Sequence, residues 1–80
     1  MAALRVLGTS WCSDTVRARA FLDEHHIDYE WTDIDVDERG ASEVESWHDG
    51  QRIVPTIVFD DGTMLSEPSN EELAAKLDVH

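Results

Sequence analysis

Cys12 is the one cysteine of the chain. The residues around it read as a strand running out and a helix starting: Leu4-Arg5-Val6-Leu7-Gly8, then Thr9-Ser10-Trp11-Cys12-Ser13-Asp14-Thr15. A thiol at that junction faces the positive end of the helix macrodipole. That favours the thiolate, the form that attacks disulfides. Asp14 in the first turn pushes the other way, so the reading is a modestly activated nucleophile. The competing reading is a buried structural cysteine, which an exposed strand-to-helix corner disfavours. Thr15 either donates its hydroxyl to the Cys12 sulfur or bonds back to its own chain. Trp11 either shields the sulfur and stacks on a substrate or serves packing. Arg17 and Arg19 read as surface helix residues. His25, His26, His48 and His80 show no ligand spacing, and His25-His26 cannot face one point from a helix, so no metal is expected.

The elements that must position Cys12 follow from hydrophobic period. Residues 4–8 read as a buried strand and residues 13–26 as a helix with Ala18, Phe21, Leu22 and His25 inward. Residues 29–36 alternate with period two, as a strand with one wet face does. Residues 37–49 read as a second helix with Ala41, Val44 and Trp47 as its inner stripe, stopped by Gly50. Residues 53–59 read as a strand interrupted by Pro55, which cannot donate to a ladder and belongs at the start or in a bend. Asp60-Asp61-Gly62 is a hairpin signal and residues 63–65 a short fourth strand. Ser69 to Glu72 fits a capping box, with Pro68 at the first helical position as the equal alternative. Leu73, Ala74 and Leu77 follow as an apolar stripe. The order is β-α-β-α-β-β-α, with the first two strands parallel and the last two antiparallel.

Composition narrows the function. Eighty residues read as one domain over 1–80, and such a chain buries only about 60% of its unfolded surface. A net charge of −12 argues against nucleic acid and anionic membranes, which would be repelled. No apolar stretch approaches a bilayer-spanning length. Met1-Ala2-Ala3 leads straight into a strand-like run, so no signal peptide is expected. One cysteine makes no internal disulfide. The cytoplasm, where thiols stay reduced, is the expected compartment.

Taken in order, the strand, Trp11-Cys12 at a helix start, Val54-Pro55-Thr56, the Asp-Gly hairpin and Pro68-Ser69 resemble the glutaredoxin branch of the thioredoxin fold over residues 4–77. The likeness is greatest to mycoredoxins, in the Thr-Ser-Trp-Cys segment of residues 9–12, Arg52 to Thr56, and Glu67-Pro68-Ser69. The resemblance implies an α/β, thioredoxin-like architecture: a four-stranded mixed sheet flanked by three helices. It implies a thiol–disulfide oxidoreductase with Cys12 as nucleophile. It places Thr9, Trp11, Ser13, Asp14, Thr15, Arg52, Val54, Pro55, Ser69 and Asn70 around the substrate. Pro55 would be cis and expose the Val54 backbone as an edge for a peptide-like thiol; residues alone leave a trans strand-breaker open. Ser69 and Asn70 would hold a carboxylate or hydroxyl of the bound thiol at a helix N-terminus, compatibly with capping.

Two departures from the family shape the expectation. Dithiol members carry a second cysteine where this chain has Thr15, and the better known monothiol members have Cys-Gly-Phe-Ser where this chain has Cys12-Ser13-Asp14-Thr15. A single-cysteine mechanism follows, on S-thiolated proteins, with a small thiol such as mycothiol or glutathione as co-substrate and no bound cofactor. Members using glutathione usually have a lysine where Thr9 stands, which leaves Arg52 as the one cation near the groove and favours a weakly charged sugar thiol. The chain is expected to act as a monomer. The rival readings are an iron–sulfur carrier or sensor dimer bridged through Cys12 of each copy and two external thiols, and a redox-inactive binding module.

Overall fold

The computed structural model describes residues 4–79; Met1-Ala2-Ala3 and His80 lie outside them. The alternation of β1 (Leu4–Gly8) sorts its side chains between two cores, as a period of two requires. Leu4 and Val6 join Ala18, Phe21, Leu22, Ile57, Phe59 and Leu73 on one side. Leu7 joins Ile34, Ala41, Val44 and Val58 on the other. Helices α1 (Ser13–Glu24) and α3 (Asn70–Leu77) supply the first cluster, and α2 (Glu38–Trp47) supplies the second. Arg5 points toward α2 and closes a two-pronged pair with Glu43 at 2.7 and 2.5 Å.

The sheet runs in the order β2 (Glu30–Asp33), β1, β3 (Thr56–Phe59), β4 (Met64–Ser66). β1 and β2 are parallel, and β1–β3 and β3–β4 are antiparallel. This is the mixed four-stranded sheet with three helices that the sequence implied. β1 is central, so the residues that follow it emerge from the middle of the sheet.

Element ends differ from expectation for local reasons. α1 stops at Glu24, two residues early, because His26 takes a left-handed conformation with φ 57°. His25 caps that end and lies 4.4 Å from the Phe21 ring between centroids. β2 stops at Asp33 because the Asp33 carboxylate accepts the Asp35 N–H and turns the chain. β3 starts only at Thr56, since Pro55 has no N–H to donate and the Val54–Pro55 bond is cis. β4 covers 64–66, one residue later than read. In α2, Ala41 and Val44 are buried, but Trp47 is 40% exposed. It occupies the last helical position and does not join the inner stripe. α3 starts with Ser69 as N-cap and the complete capping box, its side chain accepting from Glu72 N–H while the Glu72 carboxylate accepts from Ser69 N–H. Pro68 therefore precedes the cap and is not the first helical residue.

Candidate functional site around Cys12

Cys12 is the N-cap of α1, with extended backbone (φ −78°, ψ 123°) and no side-chain cap bond. Its carbonyl accepts the first helical bond, from Val16 N–H at 3.0 Å, so its side chain leaves the chain where the free amides of the helix start gather. Cys12 is half-buried as a residue. Its sulfur lies 4.0 Å from the carbonyl oxygen of Val54, the residue before cis-Pro55. Strand order explains the meeting: β1 and β3 are neighbours, so the segment leaving β1 faces the segment arriving at β3.

The loop carrying Val54 is braced from two sides. Thr56 Oγ1 donates to the Ile53 carbonyl at 2.7 Å and lies 3.0 Å from His48 Nε2 at the end of α2. Glu67 N–H donates to the Pro55 carbonyl at 2.8 Å, which brings the start of α3 alongside. Arg17 then ties that start to α1, reaching Asn70 Oδ1 at 2.9 Å, the Pro68 carbonyl at 3.1 Å and Asp14 at 3.5 Å. Reading Arg17 as a plain surface residue missed this. The Asp14–Arg17 spacing hinted at a pair, but Asn70 lies too far along the chain for any local signal.

The structure gathers Trp11, Val54, Pro55, Ser69 and Asn70 around this corner and turns others away. Trp11 is 73% exposed, and its indole N–H donates to Asp35 Oδ2 at 2.7 Å; Asp35 was not among the sequence candidates. Ser13 and Asp14 are exposed in the first turn. Thr15 is wholly buried, and its hydroxyl has no hydrogen-bond partner among the described residues. It bonds neither the sulfur nor its own helix, because its side chain is packed under Gly8: a Cβ at Gly8 would lie 2.7 Å from Thr15 Oγ1. Thr9 is also turned inward, its hydroxyl buried without a partner among the described residues. Neither side chain is open to a bound molecule. Arg52 is exposed but bonded, its Nε donating to Glu45 at 2.7 Å. With Arg17 at the start of α3, Arg52 is not the one cation beside the site.

Among the described residues, no three His, Cys, Asp or Glu side chains gather where a metal ion could be held. One cysteine supplies one of the four ligands of an iron–sulfur cluster, so a single chain does not fit that group. No described helix is long and apolar enough to cross a membrane.

The glutaredoxin family model matches residues 4–63. The chain belongs to the glutaredoxin family. Its activity class is accordingly thiol–disulfide oxidoreduction, and Cys12 is the chain's single thiol. This glutaredoxin is 41% identical to a glutaredoxin-named protein of Mycobacterium tuberculosis over 95% of its own length and 90% of the relative's. It is 35% identical to mycoredoxin 1 of Corynebacterium glutamicum over 99% of its length and 98% of that chain. Among solved structures, a glutaredoxin of Archaeoglobus fulgidus superposes with a TM-score of 0.77 at 27% identity, covering 96% of this chain and 87% of that one.

Proposed function

We propose that this glutaredoxin works by a monothiol route, reducing protein mixed disulfides with a low-molecular-weight thiol through Cys12. The observation that carries the reading is the Cys12 sulfur facing the Val54 backbone ahead of cis-Pro55 in a chain with no second cysteine. In the first step the Cys12 thiolate attacks the small thiol's sulfur in a protein mixed disulfide. That S–S bond breaks, the protein sulfur leaves as a thiolate and takes a proton, and a Cys12–small-thiol disulfide forms. In the second step another small thiol, as thiolate, attacks the small-thiol sulfur of that adduct. The disulfide of the small thiol departs and Cys12 is free again.

The residues divide the work. Val54 presents backbone to the small thiol beside Pro55. Ser69 and Asn70 receive its polar end at the start of α3, where helix amides are unpaired. Trp11 offers an exposed indole face next to the sulfur. The high negative charge and the paired state of Arg52 favour a co-substrate of low charge, of the mycothiol kind, over glutathione. That choice agrees with the likeness to mycoredoxin 1. A free cysteine suits a reducing compartment such as the cytoplasm, and each step needs only one copy of the chain.

Mass spectrometry tests the route. The reduced protein, exposed to the disulfide forms of mycothiol and of glutathione, should gain one small-thiol adduct on Cys12 and lose it when the free thiol is added. Cys12→Ser should gain none. An adduct that forms but is never released, or a visible-absorbing dimer after anaerobic iron–sulfur reconstitution, would overturn the reading.

A further inference from the structure

We propose that Asp35 and Glu45 are specificity-determining residues of the Cys12 site. Glu45 occupies the Arg52 Nε and Asp35 sets a negative charge beside Trp11, so the site discriminates against carboxylate-bearing co-substrates. The inference rests on the small-thiol reading above and adds which residues impose the choice.

Asp35 is not a free surface acid. Its Oδ2 accepts the Trp11 indole N–H at 2.7 Å, and Trp11 adjoins the nucleophile. Its own N–H is fixed on Asp33 Oδ1 at 3.0 Å, and the preceding residue, Ile34, donates its N–H to the Gly8 carbonyl at 2.9 Å. The turn is therefore fastened to the end of β1, and the carboxylate stands at one flank of the site. On the Val54 side, Arg52 is two residues from the carbonyl that faces the sulfur. Its Nε donates to Glu45 Oε2 at 2.7 Å. The Glu45 hydrogen bond leads in holding the guanidinium charged above its ordinary range, the Glu45 charge adds to it, and Asp35 adds a smaller share. On this flank one cation stands against two carboxylates, and the sum is negative; Arg17, at the start of α3, is itself offset by Asp14 at 3.5 Å.

A negative flank next to the sulfur acts on an incoming carboxylate whatever the rest of the molecule looks like. Across several ångströms of partly screened solvent, one unit of charge is enough for a three- to tenfold change in binding. An uncharged group of the same shape meets no such barrier. Asp35 thus has two roles, orienting the Trp11 face and repelling anions, and they are separable, because an asparagine oxygen still accepts the indole N–H.

The test uses two mixed disulfides of one skeleton, glutathione and its diethyl ester, each joined to the same small uncharged thiol. kcat/KM is measured with each at low and high salt, for the native chain, Asp35→Asn, Glu45→Gln and the double variant. Asp23→Asn, an equal charge change at the far end of α1, is the control. The native chain should favour the ester by about three- to tenfold at low salt, with the gap shrinking as salt is added. The double variant should cut the ratio at least threefold, through a lower KM for the acid form, while Asp23→Asn leaves it at the native value. Equal use of both substrates by the native chain overturns this inference and the low-charge preference but leaves the single-thiol route standing, and a ratio moved as far by Asp23→Asn as by the double variant overturns this inference alone. Inactivity toward both, with a mycothiol mixed disulfide still turned over, overturns the inference alone; inactivity toward all three removes the small-thiol reading with it.

Discussion

The backbone N–H of Glu67 donates to the carbonyl of Pro55 at 2.8 Å. This contact seats the start of α3 against the loop that faces Cys12. Glu67 makes it in a left-handed conformation, φ 47°, which costs a residue with a Cβ roughly 1–2 kcal/mol. Asparagine tolerates that conformation. Glu67→Asn should therefore raise stability by about 0.5–1 kcal/mol. In urea the midpoint should rise with the slope unchanged. A lower midpoint would mean that the Glu67 side chain makes a contribution larger than the strain.

Thr15 gives the second prediction. Its hydroxyl is buried with no partner among the described residues, and a group left in that state costs roughly 1–3 kcal/mol. Thr15→Val keeps the shape and removes the oxygen, so it should stabilise the protein by about 1 kcal/mol. The alkylation rate of Cys12 should stay within about twofold, since no Thr15–sulfur hydrogen bond exists to lose. Gly8→Ala should do the opposite, losing about 1–3 kcal/mol because the new methyl meets Thr15. Thr15→Ala in the same chain should recover part of that loss. Additive effects in thermal melts of the single and double variants would show that the two sites are not in contact.

Acid should weaken the fold in a predictable window. The Glu43 carboxyl is held below its ordinary 4.5, first by the hydrogen bonds from Arg5, then by the Arg5 charge against an opposing effect of burial, with a smaller share from Trp47. Lys76, and after it Thr63, lower Asp61 well below its ordinary 3.8. Lowered carboxyls release their protons more readily in the folded state. Their stabilisation is therefore complete above about pH 5 and drains away as pH falls through 4 and below. Glu43→Gln should cost about 0.5–1 kcal/mol at neutral pH, a modest figure because the pair is partly solvated. It should also flatten the acid limb of the stability curve. An unchanged limb would sink the assignment to Glu43.

Arg17 should matter for binding more than for folding. Arg17→Met keeps the aliphatic stem and loses the ties to Asn70 and Pro68. The start of α3, the proposed seat of the small thiol's polar end, is then held less firmly. KM for the mixed disulfide should rise roughly three- to tenfold with kcat little changed, and Arg17→Lys should recover part of it. A fall in kcat with KM unaltered would point to a role in the sulfur chemistry itself.

Local chemistry was legible in the sequence and distant pairing was not. The Ser69 cap and its reciprocal partner Glu72 sit three residues apart, so the text contains the whole device. The same holds for the hairpin closed at Gly62, which takes φ 86°. The family resemblance implied Cys12 beside a cis Pro55, and the structure has the Val54–Pro55 bond cis with the Cys12 sulfur 4.0 Å from the Val54 carbonyl. Trp11–Asp35 and Arg17–Asn70 bridge segments that meet only once the sheet order is set, and nothing in the spacing announces them. Thr9 and Thr15 were misplaced for a related reason. A small polar side chain near a helix start reads as exposed, while the close approach of Gly8 decides that Thr15 lies underneath. Trp47 was assigned inward by period alone, yet the last turn of α2 leaves it 40% exposed.

The fastening of Trp11 to Asp35 gives this protein a built-in optical signal. Of the other two tryptophans, Trp31 is covered by the Arg19 guanidinium 4.0 Å from its ring centre and Trp47 ends α2. Trp11 adjoins the thiol, open to water on one side and clasped by a carboxylate on the other. Loading and unloading of Cys12 should be readable in real time as a change in intrinsic emission, without any label.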